Sequence, residues 1–284
     1  MPDREERKAE AAKHSALMKT VFASETAATI DAMTIYEEGE GRTLELPEPP
    51  FDGTETIVTT SFEPAAIYRF GEGKVAAVDP AAFTRPGGSY EDGAFGPEQV
   101  LCSESNLYQV LCGIKEQFHD ANRDYRRGQL FTDRAAYLPE VAFSRNGDIR
   151  KVDVIVIAEP LRARALENHR SEHECDHALE ERIAAILSIA AANGAETLVC
   201  NAFACGRLGY DAQQVVSVFR AWIDAHPGAV KRIVFSVPRA SFDAFDAAFG
   251  KPEEAAPAPV VDEKPEEDDE DWRNVELPEG ITLR

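Results

Sequence analysis

Three short runs, "VDVIVIA" (152–158), "TLVCNAF" (197–203) and "RIVFSV" (232–237), are almost continuously apolar. A strand with one wet face alternates polar and apolar residues, whereas a strand covered on both faces reads as these do. Helix-compatible segments lie between them, at 177–193 and 211–225. Strand alternating with helix requires crossover connections, which predicts a parallel sheet in a layered α/β domain. "ETIVTTSF" and "KVAAVD", both rich in β-formers, add strands nearer the N-terminus. Residues 4–35 hold many Ala, Glu and Lys and few breakers, so they predict one or two helices, and "LPEPPFDG" (46–53) ends that pattern. The segment 98–118 has apolar residues at helical spacing and predicts one more helix. The expected organisation is a helical extension over 1–50, a core over 51–250 and a tail over 251–284.

Charge narrows the function. The 284 residues carry a formal net charge of −21. From Lys251 onward twelve acids and four bases give −8, which leaves −13 on the rest. The Pro-, Glu- and Asp-rich tail reads as disordered and solubilising. Trp272, Val275, Leu277 and Ile281 also make it a candidate to dock on the body or on a partner. So acidic a chain is a poor ligand for nucleic acid. No apolar run is long enough for a bilayer, and the charged N-terminus has no signal-peptide core behind it. Five cysteines without a CxxC pair fit a reduced compartment, so a cytoplasmic protein is expected. His169, His173 and His177 recur every four residues around Cys175. On one helix the outer two would stand about 12 Å apart, too far to share an ion, and a solvated acidic face is the simpler reading. Arg123, Arg126 and Arg127 read as a solvated basic loop. Neither metal nor cofactor is expected.

Ligands of open α/β sheets bind beyond the carboxyl ends of strands. Two glycine-bearing loops occupy such places. One follows the strand ending at Asp79 and contains Pro86-Gly87-Gly88-Ser89; the other is "FACGRLGYD", Phe203 to Asp211. Glycine lets backbone N–H groups approach a phosphate, although strand-to-helix turns also use glycine for geometry alone. Neither loop matches the dinucleotide or phosphate-loop signatures.

Both loops resemble those of the microbial-type poly(ADP-ribose) glycohydrolases, a branch of the macrodomain fold. Pro86-Gly87-Gly88-Ser89 falls on that family's Pro-Gly-Gly-Gly loop, and Leu101-Cys102 and Leu107-Tyr108 fall on its later markers. "YLPEVAFSRNGD" (137–148), the helix bearing Arg182, and "LVCNAFACGRLGYD" continue the likeness through most of residues 4–250. The resemblance implies a three-layer α/β/α fold with a mixed, mostly parallel sheet and an added N-terminal helical region. It implies ADP-ribose, or an ADP-ribosylated protein, as partner. Gly87, Gly88 and Ser89 would approach the distal ribose, and Ala204, Cys205, Gly206, Arg207, Leu208 and Gly209 would line the diphosphate. Phe203 or Tyr210 would stack on adenine or shield the ribose.

Several positions depart from the pattern. Gln99 stands where the family's catalytic Glu is expected, leaving Glu98 one residue earlier, about 100° away around a helix. Asp79 replaces an expected Asn, Ser89 a third glycine, and Tyr210 an Asn. A glutamine has no proton to give a leaving oxygen. Three readings follow: an ADP-ribosyl hydrolase working through Glu98, a non-catalytic ADP-ribose reader, or a scaffold that has lost the nucleotide.

Overall fold

The computed structural model describes residues 2–250; the acidic tail and its docking expectation lie outside the described residues. The strands are β1 (Thr34–Tyr36), β2 (Glu55–Thr59), β3 (Val75–Pro80), β4 (Ala135–Arg145), β5 (Asp148–Ile157), β6 (Thr197–Asn201) and β7 (Arg232–Ser236). They form one sheet in the order β1-β4-β5-β3-β6-β7-β2. Pairing is parallel from β5 through β3, β6 and β7 to β2, and antiparallel at β1–β4 and β4–β5. β4 therefore runs against the other six.

The helices are α1 (Arg4–Val21), α2 (Ala23–Ala32), α3 (Glu63–Phe70), α4 (Pro97–Ser103), α5 (Leu107–Gly113), α6 (Arg162–Glu167), α7 (Glu172–Ala192), α8 (Ala212–Ala225) and α9 (Arg239–Phe249). Alternation along the strands distributes the core between two faces. Val78, Ile155, Leu198 and Phe235 pack toward Leu179 and Ile183 of α7, Phe219 of α8 and Phe245 of α9. Their neighbours Ala77, Val154, Val199 and Val234 face Ile67 of α3, Leu101 of α4 and Leu111 of α5. Burying each such Leu, Ile or Phe is worth about 1.5–3 kcal/mol. The result is the α/β/α sandwich with a mixed, mostly parallel sheet that the family resemblance implies, the sequence pattern itself having predicted the parallel part.

Helix starts follow local chemistry. Ser171 Oγ accepts from Glu174 N–H at 3.2 Å while Glu174 Oε2 accepts from Ser171 N–H at 2.8 Å, a reciprocal cap that sets the start of α7. That start leaves His169 outside the helix, in a left-handed turn (φ +61°), so the three histidines are not one helical row. Among the described residues no group of three His, Cys, Asp or Glu is placed to hold a metal, and no helix is long and apolar enough to cross a membrane. Arg123 and Arg127 pair with Asp120 and Glu38.

Two elements differ from the sequence reading. The helix expected over 98–118 is divided into α4, α5 and a π-turn over Glu116–Asp120. Ser105 and Asn106 make the division: Ser105 Oγ donates to Leu101 O at 2.7 Å, and Asn106 Oδ1 accepts from Ala142 N–H at 2.9 Å. Short polar side chains of this kind compete with the helical backbone. Within the N-terminal region expected to be helical, Thr34–Tyr36 instead form edge strand β1 on β4.

Candidate functional site

The parallel strands end together. Asp79 near the end of β3, Asn201 at the end of β6, Ser236 at the end of β7 and Glu159 just past β5 meet along one sheet edge. There a cleft of about 300 Å³ opens, walled by Glu63, Gly96, Pro97, Glu159, Asn201 and the second glycine loop from Cys205 to Leu208. Phe62 and Phe95 flank its mouth, 53% and 43% exposed, with ring centroids 5.9 Å apart and planes at 87°.

The first loop wraps the start of α4. Gly87 and Gly88 have φ of +63° and +58°, a region that favours glycine. A Cβ on Gly87 would meet Tyr108 Cδ2 at 2.6 Å, and one on Gly88 would meet Gln99 Nε2 at 2.8 Å and Glu98 Oε2 at 2.9 Å. Ser89 Oγ accepts from the Arg85 guanidinium at 3.2 Å. Ala82 N–H donates to Glu98 Oε2 at 3.0 Å, and Gln99 Nε2 donates to Gly87 O at 3.1 Å. Glu98 is only 4% exposed, and its Oε1 has no partner among the described residues.

Four carboxyls crowd this edge. Burial is the largest influence on each. It pushes Asp79, with Glu63 and Glu159 nearby, up to about 8. Glu63 rises to about 7, as does Glu159 against the opposing pull of Arg207. Glu98 rises well above the carboxylate range, helped by Asp79. Asp79 is fully buried, and neither oxygen has a partner among the described residues. Burial thus favours the protonated form of Asp79 and Glu98 at neutral pH and leaves Glu63 and Glu159 titrating close to it.

The second loop crosses the cleft. Ala204 (φ +62°) donates its N–H to Glu159 Oε1 at 2.6 Å, and Arg207 extends from the exposed turn toward α4, where a Cβ on Gly96 would lie 4.0 Å from its Nη2. Gly209 turns with φ +102° against Ala163, and its carbonyl accepts from Arg162 Nη1 at 3.0 Å. The Cys205 thiol, at the cleft wall, is pushed up to about 12 by burial, so it is not a thiolate nucleophile.

Residues 6–146 match the family "Microbial-type PARG, catalytic domain". The poly(ADP-ribose) glycohydrolase (PARG) of Thermomonospora curvata superposes with a TM-score of 0.76 at 25% identity, covering 87% of this chain and 98% of that one. The same enzyme bound to the inhibitor ADP-HPD gives 0.73 at 26% identity, with coverages of 87% and 98%. A Deinococcus radiodurans PARG in complex with ADP-ribose gives 0.69 at 25% identity, covering 78% of this chain and 96% of that one. Over residues 6–146 the chain carries a microbial-type PARG catalytic domain, and the described residues share the fold of bacterial PARG structures. No curated protein matches it in sequence.

Within this PARG-type fold, the expected site residues divide. Asp79, Gly87, Gly88, Ser89, Glu98 and Gln99 gather at the first loop, behind the cleft wall at Phe95–Pro97. Of the second loop, Cys205, Gly206, Arg207 and Leu208 line the cleft while Ala204 and Gly209 flank them. Phe203 and Tyr210 do not reach the cleft, which corrects their expected stacking role. Phe203 is fully buried; Tyr210 is 3% exposed, and its hydroxyl donates to Cys175 O at 2.8 Å. Both belong to the core under α7. Conversely Glu63, Glu159, Asn201, Phe62 and Phe95 were not singled out from the sequence. The strand-end rule that selected Asp79 applies equally to Glu159 and Asn201.

Proposed function

We propose that this cleft binds ADP-ribose and that the chain acts first as an ADP-ribose-recognising domain of the microbial PARG type. The observation that carries this is the second glycine loop, Cys205 to Leu208, facing the Phe95–Pro97 entry to α4 across one cleft. Arg207 extends toward Gly96, and the first glycine loop packs on Glu98 and Gln99 just behind that entry. The relatives solved with ADP-ribose and with ADP-HPD support it. The distal ribose lies at Gly87–Ser89 and the diphosphate along Ala204–Gly209, where backbone donors and a guanidinium suit it. Phe62 and Phe95, at the mouth, are the aromatic faces for the base. Asp79 does not repel the ligand at neutral pH, because burial keeps it protonated.

Hydrolysis of a glycosidic bond needs an acid at the leaving oxygen. Gln99 cannot serve, so recognition outlasts rapid cleavage in this reading. A second reading, hydrolysis through Glu98, has a specific observation behind it: that carboxyl keeps its proton and has an unpartnered Oε1 among the described residues. Glu98 would then protonate the leaving oxygen as the C–O bond breaks, and water would supply the hydroxyl.

The test is a thermal melt with and without ADP-ribose for the wild type and Arg207→Ala. The reading predicts a ligand-dependent rise in Tm that is smaller in the variant. An equal rise in both would remove Arg207 from the site; no rise in either would remove the nucleotide.

A further inference from the structure

Ala204 lies in the loop assigned to the diphosphate, yet its N–H is already bound. Glu159 Oε1 accepts it at 2.6 Å, and Glu159 itself lines the cleft. We propose that Glu159 is a built-in anion of the second glycine loop, occupying with its own carboxylate the backbone donor that a ligand phosphate would take, so that phosphate binding requires Glu159 to be neutralised or displaced. This rests on the reading of the cleft as an ADP-ribose site.

A second observation points to an absent ligand. Asn201 lines the same cleft, is 5% exposed, and its amide makes no close hydrogen bond among the described residues, its polar neighbour being the Glu63 carboxyl that it helps to ionise. A buried amide costs stability when left unpaired, and the cleft is where it would find a partner. Glu159 answers the loop's donor from within, while the Asn201 amide has only a loose neighbour in Glu63.

Charge decides when the device opens. Arg207, on the loop itself, attracts the Glu159 carboxylate. Against it stand Glu63 at the start of α3, Asp79 on β3 and Glu98 on α4, with the Cys200 and Cys205 thiols neutral beside it. An ionised Glu159 is acceptor-only and repels phosphate; a protonated one carries no charge and can donate. With Glu159 titrating near 7, nucleotide binding takes up a proton and tightens as pH falls. If only the protonated form is competent, affinity falls about tenfold between about pH 6 and about pH 8.

The experiment is calorimetric titration of the full chain, its Glu159→Gln variant and its Glu159→Ala variant with ADP-ribose and, separately, with inorganic pyrophosphate. The expected result is an affinity gain of about tenfold at about pH 8 in both variants, with little gain at about pH 6. A gain cannot arise from misfolding, and two side chains of different size exclude a purely steric cause. Unchanged or weaker affinity for both probes at the higher pH overturns the inference, even where ADP-ribose binds and the functional reading stands. Gain for pyrophosphate with no ADP-ribose binding in any protein supports the inference and overturns the nucleotide reading.

Discussion

Gln99 Nε2 lies 3.4 Å from Glu98 Oε2, and both atoms close on the space where a side chain on Gly88 would begin. Two consecutive residues thus converge on one loop despite the angular offset of a helix. The structure achieves this at the first turn of α4, where Glu98 takes the Ala82 N–H and Gln99 takes the Gly87 carbonyl. The acid is held beneath the loop, and the amide is held against it.

Gln99→Glu should therefore place a second carboxyl against Glu98. Two carboxyls so close share a proton, which is the condition for a general acid near neutral pH. ADP-ribose release from poly(ADP-ribose) should rise about a hundredfold. An unchanged rate with ADP-ribose binding retained would mean that residue 99 does not limit the chemistry.

Glu98→Ala removes the acceptor of the Ala82 N–H and the remaining acid at the first loop. Leaving that donor unpaired costs about 1–3 kcal/mol, readable as a lower Tm. Any ADP-ribose release by the wild type should disappear in the variant. Surviving release would rule out Glu98 as the acid.

Gly88→Ala tests the loop's geometry. The residue has φ +58°, and the new methyl would press on Gln99 Nε2 and Glu98 Oε2. Left-handed strain alone costs about 1–2 kcal/mol, and the displaced pair would spoil the ribose side of the cleft. Binding of ADP-ribose and Tm should fall together; an unaffected titration would place the ligand elsewhere.

The acid cluster also predicts how stability responds to pH. Asp79, Glu63 and Glu159 are raised in the folded chain to about 8, 7 and 7, above their ordinary range. The folded state therefore holds more protons than the unfolded one between those limits. Its stability is greatest below the unfolded values and is lost as pH rises through 7 to 8. Melting should be several degrees lower at about pH 8.5 than at about pH 6, and Asp79→Asn should recover part of the loss. A variant as pH-sensitive as the wild type would show that Asp79 is not the titrating group.

Much of the sheet was legible because burial on both faces leaves strands such as 152–157 and 197–201 almost continuously apolar, with Asp153, Thr197 and Asn201 as the exceptions. β4 was not, since Pro139 and Glu140 interrupt its pattern where a bulge shifts register between Leu138 and Val141, with Glu140 at φ +55°. The loops announced themselves through glycine. Glu63 and Glu159 did not, because one acid at a helix start or strand end reads like any surface acid; only the sheet's topology brings them to Asp79. Phe203 and Tyr210 misled for a related reason. Residues adjacent in a loop can point to opposite sides, and here both aromatics point into the core, leaving the cleft mouth to Phe62 and Phe95.

The most direct measurement is calorimetric titration of the full chain with ADP-ribose at about pH 6, where the acid cluster is least charged. The account predicts saturable binding with a micromolar Kd, about −8 kcal/mol. Absence of heat up to millimolar ligand would contradict it and leave a PARG-type fold without its nucleotide.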